Sequence, residues 1–131
     1  MDLNPIVWGP NYWFFLYTIA INYSDNPNDI LKKKYYDVIY NLPIFIPHHD
    51  ISKQFSIFLE KYPVTPYLDS KESLIKWVHF IHNKINIYLG KKEISYFDAM
   101  NKYYNNYKLK EIKIKEEKSK KYKYIFFSLL I

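Results

Sequence analysis

The sequence predicts an all-α protein of four successive helices, a short fifth helix and a Lys-rich C-terminal tail. Three observations predict it. Apolar residues recur at helical spacing in consecutive segments. Prolines, an Asn/Asp cluster and Gly90 fall between those segments, where helices stop. Strand-like alternation is confined to Lys110–Ile114 and the extreme C-terminus.

Pro10 stands where a first helical turn begins, and Trp13, Phe14, Leu16, Tyr17, Ile19, Ala20 and Ile21 follow, so a buried helix is expected from about Asn11 to Asn22. Asp25, Asn26, Pro27, Asn28 and Asp29 form a turn with caps available. Ile30, Leu31, Tyr35, Val38, Ile39 and Leu42 then mark a second helix that stops at Pro43. Beyond the segment Pro43–Pro47, the series Ile51, Phe55, Phe58, Leu59, Tyr62 marks a third helix that ends before Pro63. Asp69 or Ser70 caps the fourth, with Glu72 or Ser73 in its first turn. Its stripe is Leu74, Trp77, Val78, Ile81, Ile85, Tyr88 and Leu89, and Gly90 is its stop. A short fifth helix is expected from Ser95 to about Tyr104. The Lys-rich tail after it lacks a clear period and closes on Ile125, Phe126, Phe127, Leu129, Leu130 and Ile131, expected to dock as strand or helix or to remain loose.

With 131 residues the chain is one ordinary domain, divided here into a helical domain 1–107 and a tail 108–131. The aromatic content, 15 Tyr among it, fills a core or walls a pocket for a flat ligand. The formal charge of +6 is uneven: Lys108–Lys123 holds eight Lys against three Glu, leaving the body nearly neutral. A basic tail on a neutral body reads as a solvated appendage or as an anchor for nucleic acid or an acidic protein partner. No secretory leader opens the chain and no apolar run approaches the roughly 20 residues that span a bilayer, so a soluble intracellular protein without a membrane partner is expected. The chain has no cysteine, which excludes disulfides, thiolate nucleophiles and Cys-ligated metals.

Opposite the apolar stripe of the fourth helix, His79, His82, Asn83 and Asn86 share one face at i, i+3, i+4, i+7. Two readings stand: the face is solvated, or it is buried against a polar ligand that supplies its hydrogen bonds. The segment Trp77 to Lys91, with Trp77, His82, Asn83, Asn86, Leu89, Gly90 and Lys91 in order, resembles the W-x4-H-N-x-[VI]-N-x2-L-G-K signature of the Erv/ALR sulfhydryl oxidases. The opening Trp8, Gly9, Pro10, Asn11, Tyr12, Trp13 through Tyr17 resembles the W-G-P-x-x-W-x-x-L-H of viral members, with Tyr17 in place of the usual His.

The resemblance covers residues 6 to about 105. It implies a four-helix bundle plus a fifth helix with FAD in the bundle mouth, held by Trp8, Trp13, Tyr17, Trp77, His82, Asn83, Asn86 and Lys91. It also implies a dimer, with itself or with another family member. Among viral members, the host cytoplasm or the virion is the expected location. The family's C-x-x-C pair, which passes electrons from thiol to flavin, follows a Pro at the end of the second helix. Here Pro43 keeps the frame, but the two positions are Ile44 and Pro47, and Asp50 takes the place of a flavin-contacting His or Asp. Neither Ile nor Pro donates electrons, so thiol oxidation by this polypeptide is chemically excluded. The expected function is a non-catalytic flavin-binding or assembly protein related to viral disulfide formation. Alternatives are a flavin-free structural protein whose tail binds an acidic partner or nucleic acid, and a metal-binding bundle built on His48, His49, Asp50 or the pair His79 and His82.

Overall fold

The computed structural model describes residues 1–130, so Ile131, assigned above to the apolar terminus, lies outside the described residues. The elements are α1 (Pro5–Ile21), α2 (Asp29–Asn41), a 3-10 turn (Leu42–Phe45), α3 (His49–Lys61), a 3-10 turn (Thr65–Tyr67), α4 (Lys71–Tyr88) and α5 (Tyr96–Leu130). They fall into two compact units, Met1–Tyr96 and Phe97–Ile131.

In the first unit α1 packs along α4, α3 packs on α4, and α2 and α3 both pack on the 3-10 turn that joins them. Leu16, Ala20, Ile39, Phe55, Leu59, Leu74, Val78, Ile81 and Ile85 form the core. Of the second-helix stripe read from sequence, Ile39 and Leu42 are buried while Ile30 and Val38 are exposed. Among the described residues no helix is long and apolar enough to cross a membrane.

Local chemistry sets most boundaries. Asn28 accepts from the Leu31 amide and Ser70 from that of Ser73, each satisfying a helix-start donor that has no partner in its own helix. Gly90 stops α4 at φ +74, a left-handed conformation that costs an L side chain about 1–2 kcal/mol. In α1 the expected start was six residues late. Asn4 caps the helix and Pro5 occupies its first turn, so Pro10 lies inside. Proline is costly there because it removes one ladder bond. The helix continues nonetheless, and its extra turns leave Ile6 and Val7 exposed.

Without disulfides, tyrosine hydroxyls tie the helices together. Tyr23 donates to the Leu68 carbonyl (2.6 Å), Tyr35 to that of Ile19 (2.9 Å) and Tyr40 to that of Leu59 (3.2 Å). Each bond joins residues distant in sequence through a carbonyl near a helix end or bend, where backbone acceptors lack ladder donors. The high tyrosine content thus has a structural use beyond filling space.

The second unit corrects the sequence reading. The fifth helix does not stop near Tyr104, and Lys110–Ile114 is not a strand: α5 runs unbroken for 35 residues through the Lys-rich segment. That segment contains no Gly or Pro, and it places Glu111, Glu116 and Glu117 four residues before Lys115, Lys120 and Lys121. Such Glu-to-Lys spacing supports a helix by roughly 0.2–0.5 kcal/mol per pair. Ala99 and Tyr103 are buried near its start, whereas Ile112, Ile114, Tyr122, Phe126 and Phe127 are exposed, so the later part of the helix shows no buried stripe for periodicity to detect.

Candidate functional site

The polar face of α4 meets α1. His79, His82, Asn83 and Asn86 are all half-buried, neither a solvated surface nor a closed core. Trp13 of α1 lies flat on His82, with ring centroids 4.1 Å apart and planes 18° from parallel. One turn further along α1, the buried Tyr17 places its hydroxyl 3.1 Å from His82 Nδ1 and 3.5 Å from His79 Nδ1. Asn83 Nδ2 stands 3.3 Å from His79 Nε2, and the Asn86 amide reaches Asn83 Oδ1 at 3.5 Å. Asn83 also clamps the segment after Gly90. Its Oδ1 accepts from the Ile94 amide and its Nδ2 donates to the Ile94 carbonyl, each at 2.9 Å.

Burial raises the Tyr17 phenol well above its ordinary range, which keeps the hydroxyl protonated. Burial lowers His79, opposed in part by the nearby Glu93 carboxylate, so neutral imidazole is favoured there. Among the described residues no buried side-chain polar atom lacks a hydrogen-bond partner.

The structure brings Trp13, Tyr17, His82, Asn83 and Asn86 together and sets four other sequence candidates apart from them. Trp77 is buried on the core side of α4, where its Nε1 donates to the Tyr62 carbonyl at 3.1 Å. Trp8 sits at the start of α1, its Nε1 donating to the Leu3 carbonyl at 3.0 Å and its ring tilted on Tyr12. Lys91 is exposed just past Gly90, its amide bonded to the Asn86 carbonyl at 2.8 Å. Asp50 is exposed in the first turn of α3, where a carboxylate suits the positive end of the helix dipole.

Two participants were not among the residues picked from sequence as ligand contacts. His79 links Asn83 to Tyr17, and its place on the same helical face was its signal. Ile94 enters through backbone atoms alone, for which the sequence carries no signal.

The loop with the altered redox positions lies at the end of α2. Ile44 and Phe45 are exposed, at 77% and 65%, while Leu42 and Pro43 before them are buried. The loop is held on one side by Tyr12, which donates to the Phe45 carbonyl at 2.7 Å. On the other side the Leu3 amide donates to the Pro47 carbonyl at 2.8 Å and the His49 amide to Asp2 Oδ1 at 2.9 Å. His48 spends its Nδ1 as the N-cap of α3, accepting from the Ile51 amide. Among the described residues no group of three His, Cys, Asp or Glu is placed to hold a metal ion. The metal-binding reading of His48, His49 and Asp50 therefore gains no geometric support.

A flat heteroaromatic ligand with polar edges fits this donor set. Trp13 and His82 are in stacked contact, and the half-buried His and Asn groups beside them would offer hydrogen-bonding capacity to a ring edge.

Comparison with known proteins gives a consistent picture. The Erv1 / Alr family description matches residues 10–120. The chain is 34% identical over 99 residues to a probable FAD-linked sulfhydryl oxidase of Acanthamoeba polyphaga mimivirus, covering 75% of this chain and 69% of that protein. It is 36% identical over 103 residues to an FAD-linked sulfhydryl oxidase of African swine fever virus, covering 73% and 79% respectively. In structure it resembles the yeast Erv1 core with a TM-score of 0.67 at 22% identity, covering 81% of this chain and 85% of that one, a likeness of fold.

Proposed function

The chain belongs to the Erv1 / Alr family, and from that premise we propose that it is a flavin-binding member without thiol oxidase activity of its own, acting as an assembly partner. The observation that carries this reading is the contrast between two parts of one domain. The Trp13–His82 stack, with Tyr17, Asn83 and Asn86 around it, keeps an ordered aromatic and polar face. The positions that would feed it electrons are Ile44 and Pro47, and the chain has no cysteine anywhere.

When bound, FAD supplies a two-electron acceptor. Trp13 and His82 offer the flat contact, Asn83 and Asn86 offer amides for ring edges, and Lys91 offers positive charge to the pyrophosphate. Trp8 and Asp50 stand apart from this group, at the start of α1 and of α3. Trp77 acts from beneath, holding α4 against the end of α3 through the Tyr62 carbonyl. No thiolate attack on the flavin is available to this chain, because that step needs a cysteine sulfur. Partnership with a second copy or with another family member is supported by apolar side chains that α1 and α2 leave exposed, Ile6, Val7, Phe15, Ile30 and Val38.

The purified chain is expected to carry the visible flavin absorbance band, or to take up added FAD with quenching of flavin fluorescence. It is also expected to leave dithiothreitol unoxidised beyond the rate given by free FAD. A colourless protein that takes up no FAD would reject flavin binding. Thiol-dependent oxygen consumption by the pure chain would reject the non-catalytic reading.

A further inference from the structure

We propose that the later part of α5 lies in the interface of an anionic lipid membrane, its apolar stripe toward the acyl chains and its lysines among the phosphates. The observations all come from the second unit, and none of them depends on the flavin reading.

Tyr122, Ile125, Phe126 and Leu129 recur at i, i+3, i+4, i+7, so they form one stripe of α5, and they are 47% to 80% exposed. Lys115, Lys118 and Lys123 stand beside Tyr122 and Phe126 on that side of the helix. Lys120 falls on the opposite side, and Lys108–Lys123 as a whole holds eight Lys against three Glu, a net of five positive charges. Phe127 and Tyr124 point away from the stripe and are exposed as well.

That distribution selects the occupant. An acidic protein groove covers one face of a helix, and would leave Lys120, Tyr124 and Phe127 in water. A nucleic acid backbone neutralises lysines but gives Ile125 and Leu129 nothing apolar to bury against. An anionic membrane surface meets every side. Acyl chains take the stripe, phosphates take lysine ammoniums that reach up along their own methylene stems, and the headgroup layer covers aromatic side chains turned away from the bilayer. No spanning helix is needed, and among the described residues there is none.

The test is co-sedimentation of the full chain with vesicles of equal parts phosphatidylserine and phosphatidylcholine, compared with phosphatidylcholine alone. Binding is expected to the mixed vesicles and to be far weaker to the neutral ones. Lys115→Gln, Lys118→Gln and Lys123→Gln should each weaken it about fivefold. Phe126→Ser, which leaves the charge unchanged, should weaken it about tenfold, and Phe127→Ser clearly less. Because the chain has no cysteine, a fluorophore on Ile125→Cys or Lys120→Cys labels one site. The first is expected to shift to the blue on mixed vesicles and the second to stay as in water, a readout that holds even if Phe126→Ser frays the helix.

Absence of vesicle binding, equal binding to both vesicle types, or equal losses from the two Phe variants would overturn the proposal. Capture by duplex DNA without vesicle binding would assign the lysines to nucleic acid instead. An oligomer that Phe126→Ser dissolves, again without vesicle binding, would assign the stripe to a second copy of the chain. Either result refutes the membrane.

Discussion

Removing the Asn83 side chain tests how much of the site is held by one residue. Asn83→Ala deletes two 2.9 Å bonds to the Ile94 backbone and two weaker ones, to His79 Nε2 and from the Asn86 side chain, all in half-buried surroundings. A net hydrogen bond contributes about 1 kcal/mol, and a buried group left unpaired costs about 1–3 kcal/mol. Water reaches a half-buried site, so the low end applies and the loss comes to about 2 kcal/mol. For a chain of this size, at roughly 4 °C per kcal/mol, Tm should fall by about 8 °C. Urea unfolding read by far-UV circular dichroism gives the free energy directly, and hydrogen exchange at the Ile94 amide reports the local release. Asn86→Ala is the control: among the described residues its side-chain amide reaches Asn83 alone, at 3.5 Å, so its effect should stay below about 0.5 kcal/mol. If Asn83→Ala is no more destabilising than Asn86→Ala, the clamp is not a structural device and the reasoning built on it fails.

Three further outcomes are expected. Tyr23→Phe removes a 2.6 Å bond from a side chain that is 1% exposed and strands the Leu68 carbonyl, so chemical denaturation should show a loss of about 1–2 kcal/mol; an unchanged midpoint would deny tyrosine hydroxyls their bracing role. Gly90→Ala meets no atom within 4 Å, so its cost is the left-handed backbone alone, about 1 kcal/mol by thermal unfolding; a neutral result would mean the turn relaxes away from φ +74. His79 is pushed below its ordinary value of 6.5 in the fold, so the unfolded chain binds its proton first as the pH drops. Its contribution to stability is whole above 6.5 and is lost as pH falls from there through the lowered folded value. Denaturation midpoints measured across that window should decline in the wild type and flatten in His79→Gln; parallel curves would assign the decline to other groups.

The sequence by itself determined the all-α class, a capping turn within Asp25–Asp29, a cap at Asp69 or Ser70, the stop at Gly90 and the shared face of His79, His82, Asn83 and Asn86. These are local properties, set by backbone chemistry and helical period within a few residues of chain. The absence of cysteine is likewise a fact of sequence, and the proposed non-catalytic reading rests on it. The continuation of α5 beyond Tyr104 escaped that reading because its solvent-exposed part shows no buried apolar stripe, and the start of α1 escaped it because Pro10 is tolerated inside a helix.

What only the tertiary structure decided is which groups meet. Trp77 and His82 sit five residues apart on one helix, yet packing turns the first to the Tyr62 carbonyl and the second to Trp13. Tyr17 bridges two histidines more than 60 residues away, and Ile94 orients Asn83 with backbone atoms that any residue but proline would supply. Such contacts depend on how α1 is set against α4, a property of the assembled core that no local pattern encodes.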